Sequence, residues 1–242
     1  MLLGTPLLAT ELVSCNHFLC TCSSNRAIFM HNKHCCTGNI RPATAEEYNL
    51  VSRKFTETWV KGVQPSVHFV FVIRNRDLKQ KWLKYRQKLQ DQKYEVYFHG
   101  SQLGCHITCT KRLCRGNHLC GICNISSVGM ERQYNKKNIK FQRFGPGVYL
   151  APNSSKCHDY TRGAHDYRAM LFCYVCPGKK YILSKTDQNL QGPPPGYNSI
   201  YGVAQTGGDL NYPEIVLPDP DAVLPRYIIV YKKDGIGDPR KH

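Results

Sequence analysis

Acidic residues are scarce: 17 Asp and Glu stand against 33 Lys and Arg in 242 residues, a formal charge of +16. That balance excludes an acidic solvating chain, and hydrophobic residues at 41% are enough to bury a core. Long apolar runs are also missing. No window reaches the roughly 18 apolar residues of a membrane helix, so no membrane partner is expected. Residues 1–30 have no basic start, and Glu11 interrupts their leucine clusters (Leu2, Leu3, Leu7, Leu8), so they fit a secretory signal poorly. There is no internal repeat, and the composition excludes collagen-like and coiled-coil chains.

Cysteine is abundant instead, with 13 residues, an odd number that complete internal pairing would leave with one thiol over. The cysteines cluster, which suits thiolates and metal in a reducing compartment better than an evenly stapled secreted framework. An intracellular location, nucleus or cytoplasm, is the expectation. The positive charge predicts attraction to polyanions through a basic surface.

Residues 1–43 carry Cys15, Cys20, Cys22, Cys35 and Cys36 with little periodicity and read as a loosely ordered extension. Thr44 with Glu47 three residues on is a capping-box start for a helix carrying Phe55 and Trp59. Val67–Ile73 is a run of strand length. Leu78, Trp82, Tyr85 and Leu89 are spaced four, three and four apart and lay one apolar stripe on a helix. Its other face carries Lys79, Lys81, Lys84, Arg86 and Lys88, which as a structural feature is a solvated surface.

Tyr94–Phe98, Ala169–Val175, Glu214–Leu217 and Tyr227–Tyr231 read as strands, and Phe144–Ala151 as a turn entering one. Ser154–Tyr160 starts a helix with a serine as its cap. Residues 191–197 hold three prolines and must be a loop. Regular long helices do not separate the strands, so a doubly wound parallel sheet is not expected and an α+β fold is.

Between Cys105 and Cys123 five cysteines fall within 19 residues, and Cys120-Gly-Ile-Cys123 has metal-knuckle spacing. Cys105, Cys114, Cys120 and Cys123 are the predicted ligands of a tetrahedral Zn2+, with Cys109 spare. Sets using Cys109 or His118 remain open, as does a pair of disulfides. A four-thiolate site is closed, so the metal is expected to be structural.

Four further elements, weak singly, resemble one family when taken in order: Phe98-His-Gly-Ser101, Phe144-Gly-Pro-Gly-Val-Tyr-Leu-Ala151, Ser155-Lys-Cys-His-Asp-Tyr160, and Tyr212-Pro-Glu-Ile-Val216. The sequence resembles the poly(ADP-ribose) polymerase catalytic domain of the ADP-ribosyltransferase superfamily, His-Tyr-Glu type. Its cysteine insertion resembles a loop of fungal members. The resemblance spans roughly residues 55–231. It implies split antiparallel β-sheets with few helices and a zinc-stapled insertion, in a catalytic domain over residues 44–234 followed by a tail, 235–242.

The resemblance also implies roles. The substrate is NAD+, and transfer of a single ADP-ribose unit to a protein or nucleic-acid acceptor is the expected reaction. Glu214 would stabilise the oxocarbenium-like cation formed as nicotinamide leaves ribose. His99 would hold the adenosine ribose. Gly100 and Ser101 would meet the nicotinamide amide, and Tyr149 and Tyr160 would sandwich its ring. Cys157 stands where the family has a serine that bonds this amide, and a thiol is a weaker donor. The long helical regulatory domain that DNA-dependent members carry before this domain is not expected, since 48 residues give no room for it. Activation by DNA breaks through that device is therefore not expected. Two other readings are an NAD glycohydrolase with water as acceptor, and a silent zinc-stabilised module binding nucleic acid or ADP-ribose. The oligomeric state has no signature in the sequence.

Overall fold

A computed structural model describes residues 40–114, 119–130, 142–163 and 167–232. The N-terminal cysteines, His118, the basic positions 132–140 and the tail 235–242 lie outside the described residues. In chain order the first elements are β1 (Ile40–Pro42), α1 (Ala45–Glu57), β2 (Val67–Ile73), α2 (Arg76–Gln87) and β3 (Glu95–Gly100). The insertion holds β4 (Gln102–Leu103), α3 (Ile107–Thr110) and α4 (Gly121–Val128). Then follow β5 (Val148–Leu150), α5 (Ser154–His158), β6 (Arg162–Gly163), β7 (Tyr167–Val175) and β8 (Lys180–Leu183). The chain ends its described part with β9 (Ser199–Gly202), β10 (Glu214–Leu217) and β11 (Val223–Lys232).

The helices start where the sequence places them. Thr44 Oγ1 accepts from the Glu47 amide at 3.3 Å while Glu47 Oε2 accepts from the Thr44 amide at 2.9 Å. Arg41 grips the same carboxylate through both terminal nitrogens, at 2.6 and 2.7 Å, and these bonds hold Glu47 down to about 2. Asn75 caps α2 by accepting from the Leu78 amide at 3.1 Å, and Leu78, Trp82 and Leu89 are buried as their spacing requires. The start of α5 differs. Its N-cap is Asn153 rather than a serine, and no side chain closes that cap. Ser154 is instead drawn inside, where its hydroxyl donates to the Phe55 carbonyl at 2.7 Å.

The strands form an α+β fold of two main sheets. The first runs β1-β2-β11-β7-β3, antiparallel throughout. Its middle strands are buried on both faces, which explains the unbroken apolar runs of β7 and β11. Pro225, lacking an N–H, sits beside a register shift between Pro225 and Tyr227. Phe55, Val51 and Trp59 of the α1 region cover one face with Phe98, Met170 and Tyr231. The other face packs on the insertion through Ile107, Cys120, Ile122 and Cys123.

The second sheet runs β5-β10-β9-β8, antiparallel except for the parallel β8–β9 pair. A single isolated bridge joins β3 to the residue after β5. The Phe98 amide donates to the Ala151 carbonyl at 2.8 Å and the Ala151 amide to the Phe98 carbonyl at 3.1 Å. That bridge brings the His-Gly element of one sheet against the Val-Tyr-Leu strand of the other. Among the described residues no helix is long and apolar enough to cross a membrane.

Candidate active site and metal centre

His99 leaves β3 with its Nδ1 2.9 Å from the Tyr149 carbonyl oxygen. A carbonyl only accepts, so Nδ1 carries the proton. Burial pushes the imidazole pKa down, against a smaller upward pull from this bond, so the ring is neutral. Nε2 is then an acceptor, suited to a hydroxyl donor.

Gly100 ends the strand against α5. A Cβ there would lie 1.9 Å from the Cys157 carbonyl oxygen and 3.1 Å from Tyr160 Cβ. The backbone approaches more closely than any other residue permits. Tyr149, on β5, is half-buried. Its hydroxyl donates to the Gly145 carbonyl at 2.7 Å and accepts from the Phe144 amide at 3.0 Å, and burial first raises it to about 12. These bonds clamp the Phe-Gly-Pro-Gly turn, where Gly145 has φ +74° and a Cβ would meet the Leu190 carbonyl oxygen at 1.8 Å. Tyr160 is 64% exposed at the mouth of the site.

Cys157 is buried, and its thiol donates to the Phe98 carbonyl at 3.0 Å. Burial pushes it up to about 12, so it stays protonated. The sulfur that the sequence assigns to the nicotinamide amide is thus engaged with the backbone of β3. Ser101 is near by, against the insertion.

Glu214 opens β10 and is only 6% exposed. Its Oε2 takes the ammonium of Lys156. Its Oε1 lies 3.6 Å from Arg143 Nε and accepts no hydrogen bond among the described residues. Oε1 so placed has a lone pair available to an incoming hydroxyl. Lys156 is fixed from behind, because α5 is tied on both sides. The Val60 amide donates to Ser155 Oγ at 3.2 Å, and His158 Nδ1 meets the Tyr231 hydroxyl at 2.8 Å. A cavity of about 210 Å³ adjoins, lined by Lys61, Arg143, Lys156, Asp159, Tyr160 and Tyr212, among others. The sequence motifs single out His99, Gly100, Ser101, Tyr149, Tyr160, Cys157 and Glu214 but give Lys156 and Arg143 no role at Glu214. Lys156 stood inside a quoted motif, which was the available signal.

Cys105, Cys114, Cys120 and Cys123 place their sulfurs within 4.8 Å of one another. The Cys105 and Cys123 sulfurs are 3.6 Å apart, and those of Cys120 and Cys105 3.7 Å. A tetrahedral ion about 2.3 Å from each thiolate sets sulfurs roughly 3.8 Å apart, so the four fit a metal. None of the eight described cysteines is in a disulfide, and Cys109 is exposed outside the cluster. The loop that carries these thiols abuts the end of β3: a Cβ on Gly121 would lie 2.1 Å from Ser101 Oγ.

The sequence pattern of the poly(ADP-ribose) polymerase catalytic domain matches residues 45–226, about three quarters of the chain. The stretch contains His99, Tyr149 and Glu214 and all four clustered thiols. The chain is similar to the human protein mono-ADP-ribosyltransferase PARP4, with 34% identity over 96 residues, 38% of this chain and 6% of the relative. The mouse PARP4 protein is 30% identical over 96 residues, again 38% of this chain, and 5% of its own length is covered. The chain therefore spans only a small part of the length of these relatives. With a family pattern that runs through both sheets and every element of the site, the chain belongs to the poly(ADP-ribose) polymerase catalytic domain family.

Proposed function

We propose that this domain is an NAD+-dependent ADP-ribosyltransferase that moves one ADP-ribose unit to a macromolecular acceptor, protein or nucleic acid. The observation that carries the reading is Glu214. It is a buried carboxylate held by Lys156, with one oxygen accepting no hydrogen bond among the described residues. The bond between nicotinamide and ribose breaks with its electron pair leaving on the pyridinium nitrogen, which becomes neutral nicotinamide. The positive charge this leaves on the ribose is met by Glu214. An acceptor nucleophile supplies the pair for the new bond at the same carbon and gives up its proton. Gly100 would present its backbone to the nicotinamide amide, with Tyr149 and Tyr160 beside the ring. His99 Nε2 would accept from a ribose hydroxyl. Single-unit transfer is supported by the relatives' being named mono-ADP-ribosyltransferases.

The four-thiolate cluster would hold a structural Zn2+ through Cys105, Cys114, Cys120 and Cys123. The sulfur spacing supports the reading, and a closed set of thiolates leaves no position for substrate. The ion would brace the insertion behind Ser101. The free thiols fit a reducing compartment, nucleus or cytoplasm.

The test is incubation with NAD+ labelled in the adenosine, with protein, DNA or RNA added in turn. Label on a macromolecule with stoichiometric nicotinamide release is the expected result. Glu214→Gln should slow release by roughly 100- to 1000-fold, the loss seen when one charge-stabilising group is removed. Release without labelled macromolecule would replace the transferase with a glycohydrolase. No release from wild type or variant would leave a binding module.

A further inference from the structure

The site described above makes no use of α2, yet α2 carries the densest charge in the described chain. Of the twenty residues 74–93, eight are Lys or Arg and two are Asp. Burial of Leu78, Trp82 and Leu89 accounts for the apolar stripe. Nothing in the packing accounts for the opposite arc. Lys81, Lys84 and Lys88, spaced three and four apart, lie side by side on it and are all exposed. Like charges at that spacing oppose the helix they sit on. Among the described residues none of the three meets a carboxylate at ion-pair distance, and of the two aspartates Asp91 faces Lys93 at 3.8 Å.

The next feature along this face is aromatic. The Arg86 guanidinium lies 5.5 Å from the Trp82 ring centre and 5.7 Å from that of Tyr94. Trp82 is buried, but Tyr94 is 46% exposed and is backed by Tyr174 at 4.8 Å. Arg86 also donates from Nε to the Gln92 carbonyl, which ties the 88–94 connection to the helix. The result is a row of unpaired lysines leading to a fixed, solvent-facing tyrosine with a guanidinium beside it. Lysines alone would suit any polyanion. A supported exposed ring adds something only a polymer with free base faces can use, and a duplex hides those faces in its stack.

We propose that the exposed face of α2, together with Tyr94, binds single-stranded nucleic acid, with phosphates on Lys81, Lys84 and Lys88 and one base stacked on Tyr94. The proposal stands independently of the transferase reading.

The experiment measures fluorescence anisotropy of the full chain with a labelled oligouridine of about 12 nucleotides, and with the matching duplex, over a series of salt concentrations. The single strand should bind more tightly than the duplex. Changing Lys81, Lys84 and Lys88 together to Gln should lower the log–log salt slope by about two, three contacts at roughly 0.7 each. Tyr94→Ala should weaken binding about five-fold or more without changing the slope, and Tyr94→Phe should restore it. A thermal melt and far-UV circular dichroism report that each variant is folded. Three results would overturn the proposal: duplex binding as tight as single strand, Tyr94→Ala equal to wild type, or a salt slope that falls only when the cations of 132–140 are neutralised.

Discussion

A methyl group on Gly100 is the smallest change that tests whether the close approach of β3 to α5 builds the nicotinamide subsite. In Gly100→Ala the new Cβ would sit 1.9 Å from the Cys157 carbonyl oxygen and 2.9 Å from its carbon. Ordinary contact begins at 3.4 Å, so the carbonyl must retreat by about 1.5 Å. It cannot retreat alone. It accepts from the Tyr160 amide at 3.1 Å, and Cys157 is followed by His158, whose ring is bonded to Tyr231. The displacement therefore moves α5, and with it Lys156, which neutralises Glu214. Overpacking of this kind costs about 1–3 kcal/mol of stability. A misplacement of about 1 Å at a reacting centre costs on the order of 100-fold in rate. The assay is steady-state nicotinamide release over a range of NAD+ concentration, alongside a thermal melt. KM should rise at least ten-fold and kcat/KM fall by about 100-fold, while Tm drops only a few degrees. A variant with wild-type KM would refute the placement of nicotinamide at Gly100.

Two other outcomes follow from the geometry. His99 must be unprotonated at Nε2 to accept from a ribose hydroxyl, and burial lowers its pKa below the usual 6.5. Its neutral form therefore persists at and above that pH and is lost only as pH falls through the lowered value. KM for NAD+ should stay flat from pH 8 to about 6.5 and rise below it, and a rise already complete at pH 7 would contradict the assignment. Cys120→Ser should remove a ligand from the four-thiolate set, so elemental analysis should find one zinc per wild-type chain and much less in the variant. NAD+ cleavage should fall with it, because Gly121 of the metal loop abuts Ser101; a full-strength, metal-free wild type would dismiss the site.

The parts of this fold that sequence reveals are those whose cause is local. Val67–Ile73 and Glu214–Leu217 are strands of those bounds because apolar, β-branched residues crowd between turn formers. Thr44 and Glu47 announce α1 by a bond pattern contained in four residues. The short strands β1, β8 and β9 have three or four residues each and take their pairing from neighbours far along the chain, so no window contains their cause. Ile40–Pro42 thus joins the first sheet although it lies within the stretch that reads as an extension. The site divides in the same way. His99, Tyr149 and Glu214 were legible through ordered motifs. The pairing of Lys156 with Glu214 spans 58 positions and depends on α5 being tied to α1 through Ser154 and to β11 through His158. The thiol of Cys157 pointed to a ligand in sequence, whereas its bond to Phe98 depends on how closely α5 sits against β3.

The bridge between Phe98 and Ala151 has a consequence beyond joining two strands. His99 and Gly100 ride on one sheet, Tyr149 and Glu214 on the other, and the two are joined by this pair of backbone hydrogen bonds, by the His99 ring on the Tyr149 carbonyl and by a shared core of Tyr97, Val148, Leu150 and Leu171. The candidate site is thus divided between two panels whose relative position is set by contacts at the site itself. A ligand gripped from both panels would add to the contacts that already hold the sheets together, so occupancy of the site should raise the resistance of the domain to unfolding.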